Sequence, residues 1–530
     1  MKKGNVLAGI LAAVMLLSTA CGSMQGTSGE TVGTIENGGN STETENVASS
    51  GENGSRDKLT IFVDESWWPY DTWEGAVPEE FSNRVGIDVE IIRAADDNQL
   101  PLMVSSGDMA DIVCSSRYQF MADGEVSYAL DELAEQYPDI TWDPDPVFAF
   151  VNQAEDGHYY TIGCGFSPDS DYEAYDSILT EGPGFMVRSD IMEELGLSID
   201  SLDDLDTVFA AVQEAYPDMI TTDFNCIHKF GWLMNQMGLK NNGYVENNGK
   251  LEWYLRQDGL LDYYKKVNEW YRKGYIRTEN FAYTSEDDTK EDCVAGQAFA
   301  NFGYDNHADN FNTAIAANGD DFRFQLITES IGENCKVYNT GAGGRGLYIT
   351  RSCKNTEAAF RFLSYAYSDE GMKLLMWGIE GEDYTLDEQG YPTFTYDFQG
   401  DNSVLQPRGL KYWGWLVHNA IVTGIAEATS TSQTAEARKN LTPYVYRNPV
   451  IGLIRFETDS DEAVIDSKIK DMVTNQEAAI LTADSEAACE KAFYEMVDLA
   501  EQLGMSKLEE YANAKYPQLK AEYDKVVAEN

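Results

Sequence analysis

Positive charge is scarce in this chain. Against 90 Asp and Glu there are 38 Lys and Arg, a formal net charge of −52 over 530 residues. Such a surface repels nucleic-acid phosphates and anionic lipid headgroups, which excludes both as partners. It keeps the chain soluble at a crowded cell surface, with a cation or a basic partner as the other reading. Histidine is rarer still. His158, His228, His307 and His418 are far apart and form no H-E-x-x-H, so no catalytic metal site is expected. There is no G-x-S-x-G elbow for a serine nucleophile. No period of 20–50 residues repeats, which argues against a solenoid. The cysteines contain no C-x-x-C. Beyond Cys21 an odd number remain, Cys114, Cys164, Cys226, Cys293, Cys335, Cys353 and Cys489, widely scattered. That pattern is not a disulfide framework; buried free thiols are expected, with one or two disulfides left open.

Two motifs are weaker than they look. GAGGRG (341–346) matches G-x-G-x-x-G, but a dinucleotide fingerprint follows a strand and opens a helix. Here a strand, LYIT, comes after it, and the stretch reads as a flexible turn. The acidic runs DPDP (143–146) and TSEDDTKED (284–292) lack the 12-residue loop of a calcium hand and read as solvated loops. Glycoside hydrolysis needs only two carboxylates at a set separation. The many acids cannot exclude such a pair, and nothing points to one. No enzyme activity, cofactor or metal is expected.

What is present begins at the N-terminus. MKKGNVLAGILAAVMLLSTACGS has two lysines, an apolar stretch from Val6 to Leu17, then small residues and Cys21. This is the layout of a secretory signal, and the apolar stretch is too short for an ordinary membrane span. The Ser-Thr-Ala-Cys ending resembles a bacterial lipobox, although Leu17 stands four places before the cysteine where the commonest pattern has it three before. The resemblance implies a diacylglycerol on Cys21 and a signal peptide over 1–21. Residues 22–57 are almost all Gly, Ser, Thr, Asn and Glu, and read as a flexible tether.

LTIFV (59–63) reads as a buried strand, EEFSNRVGIDVEII (79–92) as a helix end, a turn at Gly86 and a second strand, and LPLMVSSGDMADIVCSS (100–116) as a helix ending at Gly107 before a third. This order gives a parallel sheet with right-handed crossovers, whose ligand crevice lies beyond the carboxyl ends of the strands. Farther on, GPGFMVRSDIMEELGL predicts a strand and a helix capped by Ser189 or Asp190. Residues 198–217 predict a helix burying Leu205, Val208, Phe209 and Val212. Residues 260–276 predict a helix stopped at Gly274, AFANF and RGLYIT predict strands, and 355–378 predict two helices split near Asp369. A helix over 485–505 carries Phe493, Met496, Val497 and Ala500 on one stripe.

Four stretches in this order resemble the extracellular solute-binding lipoproteins of ABC importers, the large carbohydrate-type kind. They are the lipobox-like end with its tether; LMVSSGDMADIV (102–113); KGYIRTENF with CVAGQAFANFG (273–303); and GLYITRSCKNTEAAFRFLSYAYSDEGMKLLMWGIEGEDYTLDEQGYP (346–392). The resemblance covers roughly residues 1–510. It implies an α/β, type II periplasmic-binding-protein-like fold, with two discontinuous lobes and a hinge. Lobe 1 is expected over 58–165 and 338–400, and lobe 2 over 166–337 and 401–530. The crossings are placed near YTIGCGF (160–166), near VYNTGAGGRG (337–346) and within 395–412. The implied role is capture of a small polar solute, an oligosaccharide first, by hinge closure and delivery to an ABC permease, by a lipid-anchored monomer outside the cytoplasmic membrane. A peptide or amino-sugar receptor of the same fold, a surface glycan-binding or glycan-hydrolysing protein, and a sensor partner of a signalling kinase are the alternatives.

Aromatic residues in polar loops are the best site signal. Sugars offer an apolar face of C–H groups and a rim of hydroxyls; flat rings match the first, and amides, carboxylates and Arg the second. Trp67, Trp68, Tyr70 and Trp73 follow the first strand in DESWWPYDTW. Ser115, Ser116, Arg117 and Tyr118 follow the third. Asn225 and Trp232 lie in TDFNCIHKFGWL, Tyr304, Asp305 and Asn306 follow AFANFG, and Trp413 and Trp415 lie in LKYWGWLVHN. By resemblance to maltodextrin-type binders each stretch corresponds to a crevice loop. For any one tryptophan, ligand stacking and local core both stay open. Trp253, Trp270 and Trp377 sit in apolar helical patterns and are expected in the core.

Overall fold

The run LTIFV has apolar side chains on both faces, so it becomes the interior of a sheet: Ile61 and Val63 face one core and Phe62 the other. The computed structural model describes residues 56–529 except 97, 176–181, 225–229, 284–285, 401 and 458–459. Two four-stranded sheets are built from β1 (Asp57–Val63), β2 (Ile87–Arg93), β3 (Ile112–Ser115), β4 (Pro183–Arg188), β5 (Ile220–Phe224), β6 (Ala298–Tyr304), β7 (Phe324–Leu326) and β8 (Gly346–Ile349).

The first sheet has the order β8-β3-β1-β2. β1 runs parallel to β2 and β3, with Val63 beside Arg93 and Cys114. β8 is antiparallel to β3, with Gly346 opposite Ser115. The carboxyl ends of three strands and the amino end of the fourth thus meet at one edge. The second sheet has the order β5-β6-β4-β7. β5 and β6 are parallel and β4 is antiparallel to β6, with Pro183 opposite Tyr304. Its equivalent edge gathers the start of β4 and the ends of β5 and β6.

Helices form where the apolar period and the caps agree. Asn355 accepts from the Ala358 N–H and Ser368 from the Gly371 N–H, so Thr356–Ala366 and Asp369–Trp377 are two helices, as the sequence predicts. Asp204–Ala215 buries Leu205, Val208, Phe209 and Val212. The cap expected at Ser189 or Asp190 is not made. Asp190 instead holds the Arg188 guanidinium with two bonds of 2.8 and 2.6 Å, and the helix Ser189–Leu195 starts without a side-chain cap. The two-bond ion pair holds Asp190, and the Ser189 hydroxyl donates instead to the Arg323 carbonyl. Three C-terminal helices, Asp461–Leu481, Glu486–Leu503 and Met505–Glu529, share the second sheet's core with Leu260–Arg272. Trp253, Trp270 and Trp377 are buried, as expected.

Three chain segments meet between the sheets. The Cys164 N–H donates to the Arg345 carbonyl, the Gly344 N–H to the Cys164 carbonyl, and the Gly165 N–H to the His418 carbonyl. GAGGRG is the turn this junction needs. Gly343 has φ +101°, and a Cβ there would lie 3.0 Å from the Gly163 carbonyl oxygen. Leu405, Leu410, Trp413, Leu416 and Val417 all pack in the first sheet's core. Cys114, Cys164, Cys293, Cys353 and Cys489 are buried free thiols and Cys335 is a half-buried one; Cys226 lies outside the described residues. Among the described residues no helix is long and apolar enough to cross a membrane.

Candidate ligand crevice

At the edge of the first sheet the loops after β1 and β3 are tied together. The Ser115 hydroxyl donates to Asp64 Oδ2 at 2.8 Å, and Arg117 Nε lies 3.2 Å from the same oxygen. Ser115 and Asp64 are buried, Arg117 is half-buried and Ser116 is exposed. Glu65 accepts from Trp67 Nε1 at 2.7 Å and from Arg345 Nη2 at 2.9 Å. The Arg345 guanidinium also sits 5.4 Å from the Trp67 ring centroid. Trp67 is thereby held at the junction with 55% of its surface exposed. The Tyr118 hydroxyl donates to the Asn152 carbonyl at 2.6 Å and its ring lies 3.9 Å from the Arg455 guanidinium.

The other aromatic candidates divide sharply. Trp68, Tyr70 and Trp413 are 0–1% exposed and form a core with Trp73 and Tyr412. Their rings lock the loop after β1 onto 410–413, and the Tyr70 hydroxyl donates to the Leu410 carbonyl at 2.9 Å. They carry the loop, and no surface remains for a ligand to stack on. Trp232 is likewise sealed, with its ring 4.9 Å from Phe185 and 6.2 Å from Phe302. Trp415 is half-buried, 5.4 Å from the His418 ring. Burial of large apolar area decided these positions over the sugar-stacking reading. Cys21 and Asn225 lie outside the described residues.

At the second sheet's edge, Tyr304 and Asn306 are half-buried, while Asp305 is buried in a salt bridge. Arg438 donates to Asp305 through Nε (2.8 Å) and Nη2 (2.9 Å) and to Glu427 through Nη1 (2.6 Å). This triad ties the end of β6 to the segment 427–438 and leaves Asp305 no capacity to act as a free ligand group.

A groove of about 690 Å³ opens between the helix His307–Asn318 and the strand Pro392–Phe394 with the residues after it. The Phe394 and Phe398 rings stack at 5.0 Å and 21° on one wall, and the Tyr396 hydroxyl is anchored to the Trp377 carbonyl. Asn310, Thr313 and Gln399 supply polar groups. Lys411 bonds Gln399 at 2.9 Å and lies 5.0 Å from the Phe398 ring, with φ at +68°, a rare setting for a residue with a side chain. The sequence signal for them is YPTFTYDFQG (391–400), with four aromatics among polar residues.

The model of one family, bacterial extracellular solute-binding protein, matches residues 67–373, more than half of the chain. The chain belongs to the bacterial extracellular solute-binding proteins. Solved relatives share the two-lobed fold of this solute-binding protein at low identity. FusA of S. pneumoniae, an ABC-transporter substrate-binding protein in complex with kestose, is 17% identical with a TM-score of 0.67, over 88% of this chain and 100% of that one. The alginate-binding protein AlgQ2 is 16% identical with a TM-score of 0.60, over 87% and 98%. The N-glycan transport solute-binding protein NgtS of Streptococcus pneumoniae is 15% identical with a TM-score of 0.56, over 88% and 99%. The family and these relatives are binding proteins. No curated protein matches the chain.

Proposed function

We propose that this solute-binding protein captures an oligosaccharide and delivers it to the permease of an ABC importer. The observation that carries the reading is the groove between His307–Asn318 and 392–399: the half-buried rings of Phe394 and Tyr396, the first backed by the buried Phe398, line it together with a helix bearing amides and hydroxyls. Rings suit the C–H face of a sugar and the opposite wall suits its hydroxyls. FusA with kestose and NgtS with N-glycan transport fit the same class. Trp67, Ser116, Arg117, Tyr304, Asn306 and Trp415 are the groups of the original set with surface left to extend the site toward the junction.

The two walls belong to separate lobes, for which we propose 57–162 with 346–417, and 166–339 with 418–529. A ligand touching both favours the closed state over the open one. The protein is a binding protein with no catalytic step. Its proposed setting is the outer face of the cytoplasmic membrane, as a monomer held by a lipid on Cys21 through the 22–57 tether. Calorimetric titration with a panel of oligosaccharides and short peptides, alongside X-ray scattering, tests this. Saturable binding of one sugar class with compaction is expected. A response to peptides alone overturns the substrate class, and release of product from a glycan overturns the binding role.

A further inference from the structure

A second pocket, of about 370 Å³, lies beside the junction, and none of the groove residues lines it. Two of its sides come from the crossing segments themselves, Ile162 and Gly163 from the first and Val417 and His418 from the third. The rings of Trp142, Phe148 and Tyr367 form the walls. Each is pinned from elsewhere. Trp142 donates to the Tyr159 hydroxyl at 2.8 Å, Tyr367 accepts from the Leu347 N–H at 3.1 Å, and Phe148 packs edge-on against Phe166 at 5.4 Å. The cavity is therefore built rather than collapsed.

Its charge is of one sign. Asp143 and Asp145 stand exposed at the rim with Asp369, and no Lys or Arg lines the pocket. Asp369 is paired with Lys373 at 2.8 Å, whereas Asp143 and Asp145 have no ion pair among the described residues. His418 is 7% exposed, and its Nδ1 has no hydrogen-bond partner among the described residues. Burial pushes the imidazole pKa down to about 4, so the ring is neutral and offers no positive charge. Carboxylates over aromatic walls repel an anion and attract an ammonium carried on an apolar body.

We propose that this pocket is a second binding site, for a small organic ammonium with an aromatic or aliphatic body. Because its walls include two crossing segments, an occupant changes the balance between open and closed lobes. That coupling rests on the hinge reading above, whereas binding itself does not.

The test uses the full chain and benzyltrimethylammonium, with benzenesulfonate as the anionic counterpart. Saturable one-to-one binding of the ammonium, and none of the sulfonate, is expected. The double variant Asp143→Asn with Asp145→Asn should bind about fivefold more weakly. Asn keeps the cap that Asp145 makes to the Val147 N–H, so the melting temperature should stay put. In the unaltered chain, added salt should weaken binding in parallel, a readout independent of the variant. Equal binding of the sulfonate, no saturable binding, or an unchanged affinity in both the variant and high salt overturns the site. An oligosaccharide that weakens ammonium binding without limit as its concentration rises shares the probe's site and overturns it too, whereas an effect that levels off at a fixed factor is the coupling through the lobes. If no oligosaccharide binds at all, the proposed function fails while the ammonium site is judged on its own titration.

Discussion

Trp413 separates the two readings of the aromatic loops. Its ring is 0% exposed and lies 4.8 Å from Trp73, 5.6 Å from Tyr70 and 6.1 Å from Trp68. An aromatic side chain of this kind buries about 200 Å². At roughly 25 cal/mol per Å² that corresponds to about 5 kcal/mol, an upper bound because the unfolded chain already hides some of it. Trp413→Ala should therefore destabilise the chain by about 3–5 kcal/mol. Nε1 has no partner among the described residues, so Trp413→Phe loses no hydrogen bond there and should cost only about 1–2 kcal/mol for the missing volume. Urea unfolding followed by circular dichroism reads both, with the midpoint moving and the slope unchanged. The core assignment is refuted if Trp413→Ala stays within about 0.5 kcal/mol of the parent chain. It is refuted equally if Trp413→Phe keeps its stability but loses ligand binding.

Trp67 should behave in the opposite way: with over half its surface free, Trp67→Ala should cost under about 1 kcal/mol, and its loss should remove most of any ligand-induced fluorescence change. Arg438→Ala leaves Asp305 and Glu427 buried together without their cation. It should cost about 3–5 kcal/mol in urea unfolding, and an unchanged midpoint would reject the triad's role. Asp223 is fully buried and burial pushes its pKa up to about 6, with Asn280 and Arg277 opposing. The folded state then holds this proton more tightly than the unfolded one. Stability should fall by roughly 2.4 kcal/mol between pH 4 and pH 7, most of it by pH 6. Asp223→Asn should lack that part of the pH dependence, and parallel stability curves for the two chains would disprove the assignment.

Much of the fold was legible because it is local. Strand β1 announces itself as a continuous apolar run, Asn355 and Ser368 stand where a cap is needed, and Leu205, Val208, Phe209 and Val212 recur at helical spacing. The edge where Asp64, Glu65, Ser115 and Arg117 meet followed from strand order alone, since parallel strands bring their carboxyl ends together. The helix at 189 starts without the expected side-chain cap because the neighbouring Arg188, visible in the sequence, holds the Asp190 carboxylate.

The amino-acid sequence by itself determined the first parallel sheet, most of the helices and the acidic surface, because those depend on periodicity, caps and charge within a few residues; the two-lobed fold and the family were legible only through the resemblance of four stretches in order. Only the tertiary structure decided which rings face a ligand. Trp67 and Trp68 are neighbours in the chain, yet Trp67 stands half in solvent beside Arg345 and Trp68 is sealed under Trp413. The two stand at successive positions of a turn closed by the Trp68 N–H on the Glu65 carbonyl, and the partner that covers one of them comes from some 345 residues away. A flat ring carries the same signal in either setting until the packing around it is known.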